Sequence, residues 1–168
     1  MKMTEMFLDE LKQEAAGTRK TLERVPEGRN DWKPHEKSMP LGYLASLVAS
    51  MPGWIDAMIN RDELDFAPVG ENKDKPKEWT TRAELLAQFD ENLAKAEAAL
   101  KSTTDEHLMT NWRLLAHGYE VSNLPRYKNI RTGVINHWAH HRGQLTVYLR
   151  LNEGLVPALY GPSADERF

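Results

Sequence analysis

An all-α four-helix bundle is the fold class this sequence predicts, and three observations predict it. Four long stretches repeat apolar residues every three or four positions, the period of a helix with one buried face. Strand-like alternation is confined to one short stretch. The 168 residues, 40% hydrophobic and 28% charged, suit a single domain with one core; residues 1–168 are read as one bundle domain.

The first helix is expected over 4–24. Phe7, Leu8, Leu11, Ala15, Thr18 and Leu22 share a face, Thr4 is the candidate cap, and Pro26 ends the run. A loop with Pro26, Gly28, Asn30 and Pro34 follows. The second helix is expected from Pro40 to Ile59, with Ser38 as its cap and a proline tolerated in its first turn. Leu41, Leu44, Ala45, Val48, Pro52, Ile55 and Ile59 form its stripe, and Pro52-Gly53 should kink it. Residues 60–79, rich in Asp, Glu, Lys and Pro, read as a long exposed loop, an unusual length in a compact domain.

The third helix opens on Thr81-x-x-Glu84, a capping-box pattern, and buries Leu85, Leu86, Phe89, Leu93, Ala96 and Leu100. A short turn at 104–109 is capped by Thr104. In 111–123 the helical period breaks, and NWRLL and YEVSNL flank His117-Gly118 as a small hairpin before the last helix. That helix is expected from Pro125 to Asn152, with Gly154 as its stop and Tyr127, Ile130, Val134, Trp138, Leu145 and Tyr148 as its stripe. The tail LVPALYGPSADERF should lie extended over the bundle.

Composition excludes several function classes. A formal charge of −3 argues against a nucleic-acid partner. No window approaches the ~18 apolar residues of a membrane span. The N-terminus lacks the apolar stretch of a signal peptide, so a cytoplasmic protein is expected. Cysteine is absent, which removes disulfides, thiolate metal sites and a cysteine nucleophile.

The densest reactive cluster is His137-Trp138-Ala139-His140-His141-Arg142. On a helical wheel His141 lies about 20° and His137 about 60° from Val134, so both point at the core stripe, while His140 lies about 120° away on the flank. Imidazoles four apart stack on one helix face and can chelate one divalent metal. A hydrogen-bonded, metal-free pair is the other reading. The Glu-x-x-His pattern of di-iron bundles, HExxH, GxSxG and phosphate loops are all missing. His35, His107 and His117 read as surface histidines. Trp32, Trp54, Trp79 and Trp112 read as packing residues at the bundle ends. Arg142 and Arg150 read as solvated ion-pair residues or anchors for an anion.

Residues 134–166, VINHWAHHRGQLTVYLRLNEGLVPALYGPSADE, resemble the C-terminal signature of the DinB/YfiT-like superfamily, and LERVPEGRNDWKPHEKSMPLGYLASLVASMPGW at 22–54 extends the likeness. The resemblance implies a four-helix bundle with up-up-down-down connection, often a homodimer. It implies a metal site, zinc or nickel, with one histidine from the second helix and two from the last. Relatives include thiol-dependent transferases, so a small molecule or thiol is the implied substrate. The last-helix pair maps onto His137 and His141, and the second-helix position onto Leu47, which has no lone pair. Two functions follow from the resemblance: a metal-dependent transferase or hydrolase with an incomplete three-histidine site, or a non-catalytic bundle that binds a small molecule or serves a structural role.

Overall fold

A computed structural model describes residues 2–70 and 77–167. Helix α1 spans Met3–Leu22 and buries Phe7, Leu11, Ala15, Thr18 and Leu22 along one side. Its cap is not Thr4. The Asp105 carboxylate, a hundred residues on, accepts the amide protons of Met3 (2.9 Å) and Thr4 (3.1 Å). A carboxylate at a helix start satisfies orphan N–H groups and complements the dipole.

Helix α2 spans Leu41–Ser50, with Pro40 outside it as the cap residue. Ser38 plays no capping part. Backbone carbonyls of the preceding loop do that work: Trp32 accepts from Leu41 and Asn30 from Gly42, both at 2.9 Å. The expected kink falls at Met51–Gly53, a single 3₁₀ turn that leads into α3, Trp54–Asn60. Gly53 lets the facing helix approach closely here, because a Cβ would displace the Asn92 side chain of α4.

Helix α4, Arg82–Ser102, starts at the predicted capping box: Thr81 Oγ1 accepts from Glu84 N (3.3 Å) and Glu84 Oε2 accepts from Thr81 N (3.2 Å). Thr104 caps the short α5, Asp105–Leu108. The last helical stretch is compound. Helix α6, Arg126–Asn129, runs into a π-helical segment, Ile130–Asn136, and then into α7, His137–Leu151. The stop also differs from expectation. Glu153 takes the left-handed conformation (φ +59°), and Gly154 N then donates to the Leu149 carbonyl at 2.8 Å.

The purely all-α class is corrected by a three-stranded sheet. Strands β1 (Glu63–Asp65), β2 (Asn111–Ala116) and β3 (Tyr119–Pro125) stand in the order β1-β2-β3. β1 runs parallel to β2, and β2 antiparallel to β3. The hairpin turns at His117 (φ +52°) and Gly118 (φ +78°), the two left-handed residues of a tight hairpin turn. The register slips between Leu114 and Leu115, so that Val121 faces no partner. β1 lies in the stretch expected to be loop. Its three residues are too few to show a period, and its pairing partner is some fifty residues away. Part of that expected loop, 71–76, falls outside the described residues.

Helices α1, α2, α4 and α7 surround the core, where Leu11, Leu44, Val48, Leu85, Phe89, Trp138 and Leu145 are fully buried. Each such side chain contributes roughly 1.5–3 kcal/mol through removal from water. The indoles fix relative positions as well: Trp138 Nε1 donates to the Val48 carbonyl of α2 (2.8 Å), and Trp79 Nε1 to the Gly42 carbonyl (3.1 Å).

Candidate metal centre

The histidine pair stands on the first two turns of α7, directly after the π-helical segment. A π turn inserts extra backbone into a helix and re-aims the side chains that follow; such insertions recur at functional sites. His141 is buried at 8% exposure, His137 is half-buried and His140 is exposed on the flank, as the wheel predicts.

The two rings meet. His137 Nε2 and His141 Nε2 are 2.8 Å apart, with ring centroids 4.5 Å apart. Each outer nitrogen faces an oxygen: His137 Nδ1 the Gly133 carbonyl at 3.3 Å, His141 Nδ1 the Gln144 Oε1 at 2.8 Å. An amide or carbonyl oxygen only accepts, so both Nδ1 atoms carry the proton in these bonds. Two neutral rings then aim lone pairs at each other, which is repulsive unless something positive lies between them. Two arrangements resolve this. A cation sits between the Nε2 atoms, or the Gln144 amide turns and one Nε2–H donates to the other ring. The first is the outer-shell pattern of metal-bound histidine, in which the far ring N–H is held by an oxygen.

Burial pushes the His141 pKa below its ordinary value; the Gln144 bond opposes this, and the neighbouring rings of His137 and His140 add to it. The ring is thereby held neutral, the form that ligates a metal. Trp54 of α3 closes one side, its ring centroid 6.0 Å from that of His137.

The residues fit two coordination positions. Two nitrogens on a tetrahedral ion with bonds of about 2.0–2.1 Å stand roughly 3.3 Å apart, so the pair would open by about half an ångström. They do not fit a three-histidine set. Leu47 is buried on α2 at 8% exposure, one residue before the Val48 carbonyl that Trp138 of α7 bonds. Among the described residues no group of three or more His, Asp or Glu is arranged to hold an ion.

Other predicted residues fall elsewhere. His107 is half-buried rather than fully exposed: its Nε2 bonds the Ile59 carbonyl at 2.9 Å and closes the end of α3. His35 and His117 are exposed. Trp79 and Trp112 are buried packing residues, and Trp32 stacks edge-on with Tyr148. Arg150 forms an exposed pair with Asp165. Arg142 is not solvated: at 2% exposure it is locked to Glu14 of α1. Gln144 and Gly133 were missed as partners of the pair, although spacings of three and four from the histidines carry that information.

Comparison with known proteins agrees with this architecture. The sequence model of the DinB superfamily matches residues 10–145. An uncharacterized Bacillus subtilis (strain 168) protein, YrdA, is 27% identical over 161 residues, covering 95% of this chain and 89% of that one. A crystal structure of a DinB-like protein from Bacillus cereus superposes with a TM-score of 0.71 at 24% identity, covering 93% of this chain and 97% of the other. A DinB-like protein from Bacillus subtilis, YjoA, gives 0.66 at 18% identity, covering 90% and 96%. At these identities the two structures establish the fold.

Proposed function

This chain belongs to the DinB superfamily, and from that premise we propose that it binds a divalent cation, zinc or nickel, weakly through His137 and His141. Water or a small-molecule donor such as a thiol fills the remaining positions. The observation that carries this reading is the convergence of the two Nε2 atoms, 2.8 Å apart, while both Nδ1 atoms face oxygens. A bound ion would supply Lewis acidity to such a donor. In the transferase or hydrolase reading, this chain's residues have defined tasks. Gln144 and the Gly133 carbonyl orient the rings, burial keeps His141 neutral, and Trp54 screens His137 from water. No step is assigned beyond this, since Leu47 withholds the third nitrogen.

A second reading rests on Leu47 itself. A bundle that keeps the pair as a proton-sharing contact serves as a small-molecule binder or structural protein without metal or catalysis. Calorimetric titration of untagged protein with zinc and with nickel separates the two. Stoichiometric, acid-labile binding, lost in His137→Ala and in His141→Ala, supports the first reading. Absence of binding, or metal that survives both replacements, overturns it. Leu47→His adds a third imidazole on the α2 turn that faces α7. It should tighten zinc or nickel at least tenfold and raise the melting temperature in its presence. The reading also includes a homodimer through helix faces.

A further inference from the structure

The two histidines have unequal partners, and the difference fixes which ring donates to which. In an α-helix the His137 amide would take the Gly133 carbonyl four residues back. At the end of the π-helical segment that amide donates to the Val134 carbonyl instead, and the Gly133 oxygen faces the His137 ring, 3.3 Å from Nδ1. A main-chain carbonyl accepts only and is held by its helix, so His137 keeps its proton on Nδ1 and a lone pair on Nε2. Core packing holds that carbonyl: Ile130, Val134 and Ile135 are buried around it, and the Trp138 indole is tied to α2. His141 has a partner of another kind. Its Nδ1 faces the side-chain amide of half-buried Gln144 at 2.8 Å. An amide offers either an oxygen or an amino group of nearly equal size, according to which way it is turned.

We propose that Gln144 is a tautomer switch for the pair, acting on His141 while His137 stays fixed. What moves the switch rests on the cation reading above. Without an ion between the rings, the amide turns its amino group to His141 Nδ1. His141 then carries its proton on Nε2 and donates to His137 Nε2 across the 2.8 Å contact. That removes the lone-pair repulsion and gives every ring nitrogen a partner. With an ion between the rings, both Nε2 atoms must offer lone pairs. His141 releases the Nε2 proton to solvent and takes one from solvent on Nδ1, where the Gln144 oxygen accepts it, so the pair stays neutral throughout. Gln144 is a positioning residue in this scheme, since it acts only through the His141 ring.

Imidazole nitrogen shifts of the untagged full chain test this, read by long-range proton–nitrogen NMR at about pH 8.5, where an ordinary imidazole is neutral. In chelator-treated protein His137 should be protonated on Nδ1 and His141 on Nε2. Added zinc should move the His141 proton to Nδ1 and leave His137 as it was. Gln144→Glu presents oxygens only, so its His141 should be protonated on Nδ1 before zinc is added, and zinc should bind at least tenfold tighter. Gln144→Met presents no acceptor of comparable strength; it should keep the parent's metal-free proton positions and bind zinc at least tenfold more weakly. His141 protonated on Nδ1 in the chelator-treated parent, His137 protonated on Nε2, or parent proton positions in Gln144→Glu overturns the switch. The expected proton positions in a protein that binds no zinc overturn the cation reading and leave the control of the His141 proton by Gln144 standing, so the two proposals fail separately.

Discussion

Arg142 carries a full charge at 2% exposure, and its surroundings show what that demands. One Nη2 bond goes to the Glu14 carboxylate (2.5 Å) and one to the Tyr160 hydroxyl; Nη1 reaches the Glu14 carbonyl (2.9 Å) and Thr18 Oγ1 (3.1 Å). Tyr160 also donates to Glu14 at 2.6 Å; the residue is 68% exposed, but desolvation of its hydroxyl in this contact raises the phenol pKa, aided by that bond. Gly17 makes room, since a Cβ there would come within 3.0 Å of Leu159. Taking two charges out of water is costly, and their attraction returns little net stability, but removing one partner strands the other. Glu14→Ala is therefore expected to cost about 3–5 kcal/mol, a large share of the ~5–15 kcal/mol of a typical domain. Adding Arg142→Met to it should recover much of the loss. Urea melts of both variants check this, and a double variant as unstable as Glu14→Ala alone would contradict the argument.

The C-terminal segment behaves as an element, although it holds no regular structure. Ser163 Oγ accepts from the amides of Asp165 (3.1 Å) and Glu166 (2.9 Å) and donates to the Val156 carbonyl (2.7 Å). That turn aims Asp165 at Arg150 and Glu166 at Lys20 (2.7 Å) and Arg24 (2.6 Å), so the tail is pinned to α1 and α7. The Lys20 bond, then the Arg24 bond, holds the Glu166 carboxyl at about 2. A carboxyl lowered by folding stabilises the native state above its unfolded value near 4.5 and loses that contribution as pH falls toward 2. Amide exchange, corrected for intrinsic rates, should show protection of Val156 and Glu166 constant above about pH 5 and falling below 4. Glu166→Gln should give the low-pH behaviour at neutral pH; equal protection in both proteins would rule the clamp out. The YGPSADE motif was visible in the sequence, but its partners were not, because Lys20 and Arg24 lie about 140 residues away. The same distance effect hid the Asp105 cap of α1 and the β1–β2 pairing. Local signals fared better: the Thr81–Glu84 box, the Pro52-Gly53 break and the His117-Gly118 turn depend on neighbours in sequence. The histidine pair belongs with these, since His137 and His141 meet through helix geometry alone. The π turn before them was not legible, because the widened hydrogen-bond pattern over Ile130–Asn136 has no residue-type signature of its own.

At the scale of the molecule, the faces the chain leaves uncovered differ in character. A cleft between α3 and α4 is rimmed by charge, whereas the outer side of α7 carries an apolar ridge. Val147 (56% exposed) and Leu151 (53%) stand one turn apart on it, and Gly143 lies on the same side with open space where a Cβ would be. Apolar side chains flanking a glycine allow a second helix to approach closely, and a two-fold axis would place the same stripe of another copy against this one. The homodimer of the proposed reading is therefore expected to form through α7, with the exposed His140 near its edge. Light scattering at micromolar concentration should give twice the 19.3 kDa chain mass. Val147→Lys combined with Leu151→Lys should return a single chain with unchanged helical content, because neither side chain belongs to the core. A monomeric parent protein, or a double variant that still dimerises, would exclude this face.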